Sequence, residues 1–275
     1  MEENSPNIGG VIEFLTELFK NGLGYSAIST ARSALSTIIE LEGRPVGEHR
    51  LVNRFMKGVF NLRPALPKNK VTWDPKILLD YLRTLAPVGN ITLKQLSFKC
   101  AALTWLLSGQ RGQSIHLISI RNLTVNENEI KIRFGDKLKT SRPGFHQSEI
   151  VIKAFHEDKN MCIVNVMKEY LNRTEVIRRS ENQLFISFRR PFKAVSRETL
   201  SRWISIVMGN AGLDMKIFTP HSLRSASTSN AKRRKVPIQT ILQTAGWKKD
   251  CTFRKHYDKD IKEFGEFSLA QQSKE

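Results

Sequence analysis

Cysteine is scarce in this sequence, and its three cysteines, Cys100, Cys162 and Cys251, stand far apart. No two of them have the spacing of a metal site or of a disulfide framework. The pattern therefore indicates neither a cysteine-ligated zinc module nor a disulfide-stapled secreted fold, and it favours a reducing compartment.

Long apolar runs are also missing. No stretch approaches the roughly 20 apolar residues that a membrane span needs, and the N-terminal segment MEENSPNIGG is acidic and polar, unlike a signal peptide. Internal repeats and low-complexity tracts are absent. We therefore expect a soluble intracellular protein that does not act at a membrane.

Acidic residues are in deficit. The chain has 44 Lys and Arg against 26 Asp and Glu, which leaves a formal net charge of +18. Residues 1–66 carry seven basic and seven acidic side chains, so the whole excess lies beyond residue 66. Such an imbalance predicts a polyanionic partner, bound mainly by the second part of the chain.

The length of 275 residues and the hydrophobic periodicity predict two domains. Residues 1–63 show three amphipathic helical runs, one of which places Ile28, Leu35 and Ile38 on a single face. A basic linker is predicted at 64–74, within the stretch RPALPKNKVTWDPK, which contains three prolines. The remainder, 75–275, alternates helical runs with two strand-like stretches around 130 and 150. The expected fold is mainly α with a small β-sheet or hairpin.

Two motifs of the second domain bear on function. The stretch PHSLR places His221 and Arg224 three residues apart, on one face of a helix that Thr219 and Pro220 are predicted to begin. The basic segment GDKLKTSRPGFHQ joins the two predicted strands, as the tip of a hairpin would.

These residues belong to a longer series along the chain. Arg111 follows a helix-ending Gly109, the hairpin carries two lysines, and Trp247 and Tyr257 stand ten residues apart after PHSLR. The order Arg, Lys, His, Arg, Trp, Tyr resembles the catalytic series of the tyrosine recombinases, which share their chemistry with type IB topoisomerases. The stretches GQRGQSIHLI, KLKTSRPG, FTPHSLRSASTSNA and AGWKKDCTFRKHYDK are most similar to recombinases of DIRS-type, Ngaro-type and Crypton-like elements.

The resemblance implies a fold, an activity and a role for each residue. Residues 1–63 would form a helical core-binding domain, shortened at its start, and 75–275 the catalytic domain. Tyr257 would attack a DNA phosphodiester to give a 3′-phosphotyrosine, without metal or cofactor. The other implied catalytic residues are Arg111, Lys139, His221, Arg224 and Trp247.

Each role has a simpler alternative. Either arginine could be an ordinary surface residue of a basic protein, Trp247 could serve the core alone, and Lys137 could replace Lys139 as the general acid. The whole chain could also be an inactive, domesticated DNA-binding protein of the same fold, or could relax DNA as a topoisomerase does.

Further basic residues are expected to contact DNA phosphates, with a solvated helix face as the alternative for those of the first domain and of the run at 232–234: Arg44, Arg50, Arg54, Lys57, Lys137, Arg142, Lys232, Arg233 and Arg234. The run KRRK at 232–235 also fits a nuclear localisation signal. The expected partners are double-stranded DNA and further copies of the chain, as a tetramer on DNA. The expected location is the nucleus in a eukaryote and otherwise the cell interior.

Overall fold

The structure is a computed structural model that describes residues 7–64, 71–135, 138, 141, 149–247 and 250–262. The chain divides into two compact units, Met1–Asn69 and Lys70–Glu275. As the sequence predicted, the fold is mainly helical with small sheets. None of the helices in the described ranges is long and apolar enough to cross a bilayer.

The first unit is a helical bundle around one small core. Its elements are α1 (Ile8–Lys20), α2 (Tyr25–Leu35), the two-stranded hairpin of β1 (Glu40–Leu41) and β2 (Arg44–Pro45), a 3-10 turn (Val46–Glu48) and α3 (Arg50–Leu62). The buried residues repeat at helical spacing on the facing sides of the helices: Val11, Leu15, Ile28, Val46, Val52, Met56 and Val59.

One expectation for this unit was wrong. Ile38 is 78% exposed instead of facing the core, because α2 ends at Leu35 and the chain turns into the β1–β2 hairpin. Arg63, just after α3, packs on α1. Its guanidinium donates to the carbonyl of Phe19 at 2.6 Å and lies 3.9 Å above the ring of that residue.

The second unit is built around one buried helix, α5 (Leu93–Ser108). Thr92 and Gln95 form a capping box at its start, and Gly109 ends it in the left-handed conformation with φ of 58°. The other helices of the described chain are α4 (Pro75–Thr84), α6 (Gly112–His116), α7 (Ile163–Arg178), α8 (Arg197–Asn210), α9 (Ser222–Arg233), α10 (Ile238–Ala245) and α11 (Asp250–His256).

Two small sheets accompany these helices. The strands β4 (Leu123–Val125), β5 (Glu129–Ile132) and β6 (Ile150–Lys153) form an antiparallel sheet in that order. In it Ile130 pairs with Ile152 and Ile132 with Ile150, so the alternating isoleucines of the two predicted strand-like stretches face the core. The second sheet pairs β3 (Val71–Trp73) in parallel with β7 (Asp260–Lys262).

The β3 strand lies inside the segment that the sequence assigns to the linker 64–74. Its pairing with β7 places residues 71–73 in the second unit, directly beside the segment that follows Tyr257. The start of α9 also differs from the prediction. Thr219 and Pro220 form a turn in which the Ser222 amide donates to the Thr219 carbonyl, so the helix begins two residues later, with His221 as its N-cap.

Candidate active site

Arg224 is the buried centre of the candidate site. Its side chain is fully buried on α9, and its Nη1 donates to the carbonyl of Gly109 at 2.9 Å. Its Nε and Nη2 are buried and have no hydrogen-bond partner among the described residues. Desolvation, and after it the charge of Arg111, lowers the pKa of Arg224 to about 9. A guanidinium left in this state favours an anionic ligand, because such a ligand would satisfy both free N–H groups.

The turn between α5 and α6 brings Arg111 to this place. Gly109 is held between two helices, since a side chain there would lie 3.2 Å from Thr228 of α9 and 3.7 Å from Ala245 of α10. Two residues later, Arg111 is the N-cap of α6 and is half-buried. It lines a cavity of about 500 Å³ together with His221.

His221 and Tyr257 form a hydrogen-bonded pair beside the two arginines. The imidazole Nε2 lies 3.2 Å from the tyrosine hydroxyl. His221 is exposed as a residue, yet the protein packed around its ring desolvates the imidazolium, and this lowers the pKa of His221; the charges of Arg224, Arg111 and Lys259 lower it further. A neutral imidazole can accept the proton of the tyrosine hydroxyl.

Trp247 packs against both Tyr257 and Arg224. Its ring lies 4.7 Å from that of Tyr257, and the guanidinium of Arg224 lies 4.0 Å above it. The indole packs on Phe253 in a small core, but its Nε1 is buried without a partner in the described structure. Trp247 is therefore both a core residue and a free hydrogen-bond donor, so the two interpretations of its role do not exclude each other.

The structure thus brings together five of the six residues predicted to be catalytic: Arg111, His221, Arg224, Trp247 and Tyr257. Lys139 lies outside the described residues, as do Lys137 and Arg142. The first unit places Arg50, Arg54 and Lys57 at i, i+4 and i+7, on one exposed face of α3, and Arg44 is exposed on β2. No partner of these four is found in the described chain.

The remaining predicted DNA contacts lie at the end of α9. Lys232, Arg233 and Arg234 are all exposed. The ammonium of Lys232 forms an ion pair with Asp258, the residue after Tyr257. This end of the helix is therefore tied to the segment that carries the tyrosine.

One polar face of the second unit was not predicted from the sequence. Arg197, Ser201 and Ser205 of α8, four residues apart, line the cavity beside Arg111 together with Arg202. The i, i+4 spacing of these polar residues was a signal for this face in the sequence.

Comparison with known families decides the classification. A model of the phage integrase family matches residues 79–263, which is more than half of the chain. This chain belongs to the phage integrase family. The match contains all five assembled residues and leaves the first unit outside. No curated protein sequence matches this integrase-family chain at a significant level.

Solved structures share its fold. The XerH site-specific recombinase bound to palindromic difH substrate, in a post-cleavage complex, is 16% identical with a TM-score of 0.63; the alignment covers 98% of this chain and 73% of XerH. The Tn1549 transposon integrase in complex with transposon right end DNA is 13% identical with a TM-score of 0.61, covering 99% and 86%. A lambda integrase tetramer bound to a Holliday junction is 18% identical with a TM-score of 0.55, covering 94% and 66%. At such identities the likeness shows the fold alone.

Proposed function

We propose that this integrase-family chain cleaves and rejoins DNA strands through a 3′-phosphotyrosine intermediate. One observation carries the proposal. The hydroxyl of Tyr257 is hydrogen-bonded to the imidazole of His221. The phenol ring of Tyr257 lies 5.2 Å from the buried guanidinium of Arg224, whose Nε and Nη2 have no partner among the described residues. A nucleophile, a proton acceptor and an anion-binding group are what phosphodiester cleavage needs at one place.

In the cleavage step the oxygen of Tyr257 bonds to phosphorus while the bond from phosphorus to the 5′ oxygen breaks. The hydroxyl proton passes to Nε2 of neutral His221. The departing 5′ oxygen takes a proton from Lys139 or, in the alternative assignment, from Lys137. Rejoining runs the same transfers in reverse, so the phosphotyrosine conserves the bond energy without ATP.

Charge on the non-bridging oxygens is the main electrostatic demand of the transition state. The guanidinium groups of Arg224 and Arg111 meet it, because they bind such oxygens bidentately and remain charged at neutral pH. The free indole N–H of Trp247 adds a donor. The proposed mechanism requires no metal ion, because the arginines supply the positive charge that a divalent cation supplies in metal-dependent phosphoryl transfer.

The natural partner in this proposal is double-stranded DNA, bound by a homo-oligomer that acts as a tetramer. The net charge of +18 and the exposed basic face of α3 support a DNA partner. We further propose an origin in a mobile element of the DIRS, Ngaro or Crypton type, and a nuclear location if the source is eukaryotic. The sequence stretches given above support that origin.

Covalent trapping tests the proposal. Duplexes that carry one nick inside a randomised stretch are incubated with the full chain in EDTA, and adducts that survive denaturation are collected and sequenced. We expect an adduct, because loss of the short strand beyond the nick prevents rejoining. The sequence that recurs among the adducts defines the enriched duplex. Tyr257→Phe should abolish the adduct and leave the dissociation constant for this duplex nearly unchanged, since only the nucleophilic oxygen is lost.

The controls separate the alternatives. DNA binding without any adduct would favour the inactive DNA-binding protein. An adduct that persists in Tyr257→Phe would assign the nucleophile to another residue. Abolition of the adduct by EDTA alone would refute the metal-free mechanism.

A further inference from the structure

Ser229 is a buried serine of α9 for which the proposed chemistry has no use. It is only 4% exposed. Its hydroxyl donates to the carbonyl of Tyr257 at 2.6 Å and accepts from the amide of Lys259 at 3.1 Å. One side chain thus holds the backbone on both sides of Asp258, immediately after the tyrosine.

The need for such a partner follows from where α11 ends. The amides of Tyr257 and Asp258 still donate to the carbonyl of Phe253, at 2.8 and 2.9 Å. The next groups, the carbonyl of Tyr257 and the amide of Lys259, lie beyond the last turn and have no partner within the helix. Ser229 satisfies both before β7 begins at Asp260.

The tyrosine is held at both ends of its length against α9 and its N-cap. Its carbonyl accepts from Ser229 of the helix, and its hydroxyl is hydrogen-bonded to His221, the N-cap, eight residues earlier in the chain. The guanidinium of Arg224 lies 5.2 Å from the ring, between these ends. A shift of the backbone at Ser229 is therefore carried to the hydroxyl at His221.

We infer that Ser229 is a positioning residue for Tyr257: its two backbone hydrogen bonds set the point from which the hydroxyl reaches His221 and the phosphate bound by Arg224. The inference rests on the proposed function. Ser229 itself touches no reacting atom. Displacement of a reacting group by about 1 Å can cost on the order of 100-fold in rate. A restraint on the backbone of Tyr257 should therefore affect the cleavage rate and not the affinity for DNA.

The test compares two serines of the same helix. Ser229→Ala removes the tether, that is, the two hydrogen bonds to the Tyr257 carbonyl and the Lys259 amide. Ser227→Ala removes a similar hydroxyl whose hydrogen bond in the described structure goes to the carbonyl of Leu106 at 2.5 Å and not to the Tyr257 segment. With the enriched nicked duplex at saturation, we expect Ser229→Ala to form adduct roughly 10- to 100-fold more slowly than the unmodified chain. Ser227→Ala should stay close to the unmodified rate, and both should keep the unmodified dissociation constant.

Ser229→Thr keeps the hydroxyl and should recover most of the rate. Equal rates for the two alanine variants, a loss of DNA affinity that matches the loss of rate, or a threonine variant as slow as the alanine variant would each overturn the inference.

Amide hydrogen exchange gives a readout that needs no activity. In Ser229→Ala the amide of Lys259 loses its acceptor and should exchange faster, whereas the amide of Asp258, bonded to Phe253, should keep its rate. Unchanged exchange at Lys259 would refute the tether even in an active protein. If the unmodified chain forms no adduct, the proposed function fails, and exchange at Lys259 still decides whether Ser229 holds this segment.

Discussion

At the scale of single residues, the site places two cationic side chains beside an imidazole that has to stay neutral. Desolvation of its ring lowers the pKa of His221, and the charges of Arg224 and Arg111 lower it further. The same charges that would bind the phosphate therefore keep the imidazole ready to accept a proton from Tyr257. Electrostatic stabilisation of the phosphate and general base catalysis are thus linked through the positions of two guanidinium groups.

A pH profile tests this link. At DNA concentrations far below saturation, the rate of adduct formation reports the ionisation of the free protein. Because the pKa of His221 is lowered from about 6.5, the rate should fall only when the pH drops below that value, as the imidazole becomes protonated. Single-turnover trapping between pH 4.5 and 8 measures this limb. His221→Gln should be slow and should lack the limb; an unchanged limb in that variant would assign it to another group.

At the scale of elements, the helices of the second unit could be predicted and the joining strand could not. The helix-ending Gly109 marks the end of α5 in the sequence, and the structure agrees. The β3 strand has only three residues, and its partner β7 lies almost 190 residues later along the chain. No local periodicity encodes such a pairing.

The same reason hides part of the site. The identities and order of Arg111, His221, Arg224, Trp247 and Tyr257 are visible in the sequence. The tether by Ser229 is not, because α9 contains several small polar residues and nothing local distinguishes the one that meets the tyrosine backbone. Side-chain contacts to backbone groups depend on tertiary position and not on residue pattern.

The β3 strand should matter for cleavage. The indole Nε1 of Trp73 donates to the hydroxyl of Ser222 at 2.8 Å, beside His221. Trp73→Phe keeps an aromatic core residue but loses this donor, so the start of α9 is held less firmly. We expect adduct formation to slow by about 3- to 10-fold, since the loss of one hydrogen bond of roughly 1 kcal/mol makes the position of His221, the proposed general base, less well fixed. Trp203→Phe, another buried tryptophan change, is the control in the same trapping assay; an equal effect would reduce Trp73 to a packing role.

A buried charge in α5 makes a separate prediction about stability. Lys99 is fully buried, and its ammonium donates to the carbonyl of Leu85 at 2.7 Å. Desolvation lowers the pKa of Lys99 to about 8, although the charge of Asp158 opposes the shift. The unfolded chain keeps a pKa of about 10.4, so between these values it binds more protons and the free energy of unfolding rises with pH.

Lys99→Met should therefore stabilise the protein at pH 7, where the folded state bears the full cost of the buried ammonium. Removal of the buried charge stabilises the folded state, but the carbonyl of Leu85 then loses its donor. The net gain should therefore be limited to about 1 kcal/mol. Urea unfolding of both chains at pH 7 and pH 9.5 measures it. The advantage of the variant should shrink at the higher pH, whereas a difference independent of pH would show that packing, and not charge, causes it.

At the scale of the whole molecule, the charge is divided unevenly between the units, and so is the expected recognition of DNA. The site residues and most of the basic excess lie in the second unit, while the nearly neutral first unit presents one basic face on α3. A neutral domain with an oriented basic face can still bind phosphates, because each contact depends on local charge. The salt dependence of binding counts such contacts.

Replacing Arg50, Arg54 and Lys57 by glutamine together measures the share of the first unit. Each phosphate contact contributes about −0.9 to the slope of log K against log salt concentration, so the loss of three contacts should make that slope shallower by about 2.7. A control with Lys20, Lys76 and Lys159 changed to glutamine removes the same net charge from scattered exposed positions and should change the slope much less. Fluorescence anisotropy with a labelled duplex at 50 to 300 mM salt gives both slopes. Equal slopes for the two triple variants would mean that the α3 face is solvated and that the second unit alone binds the DNA backbone.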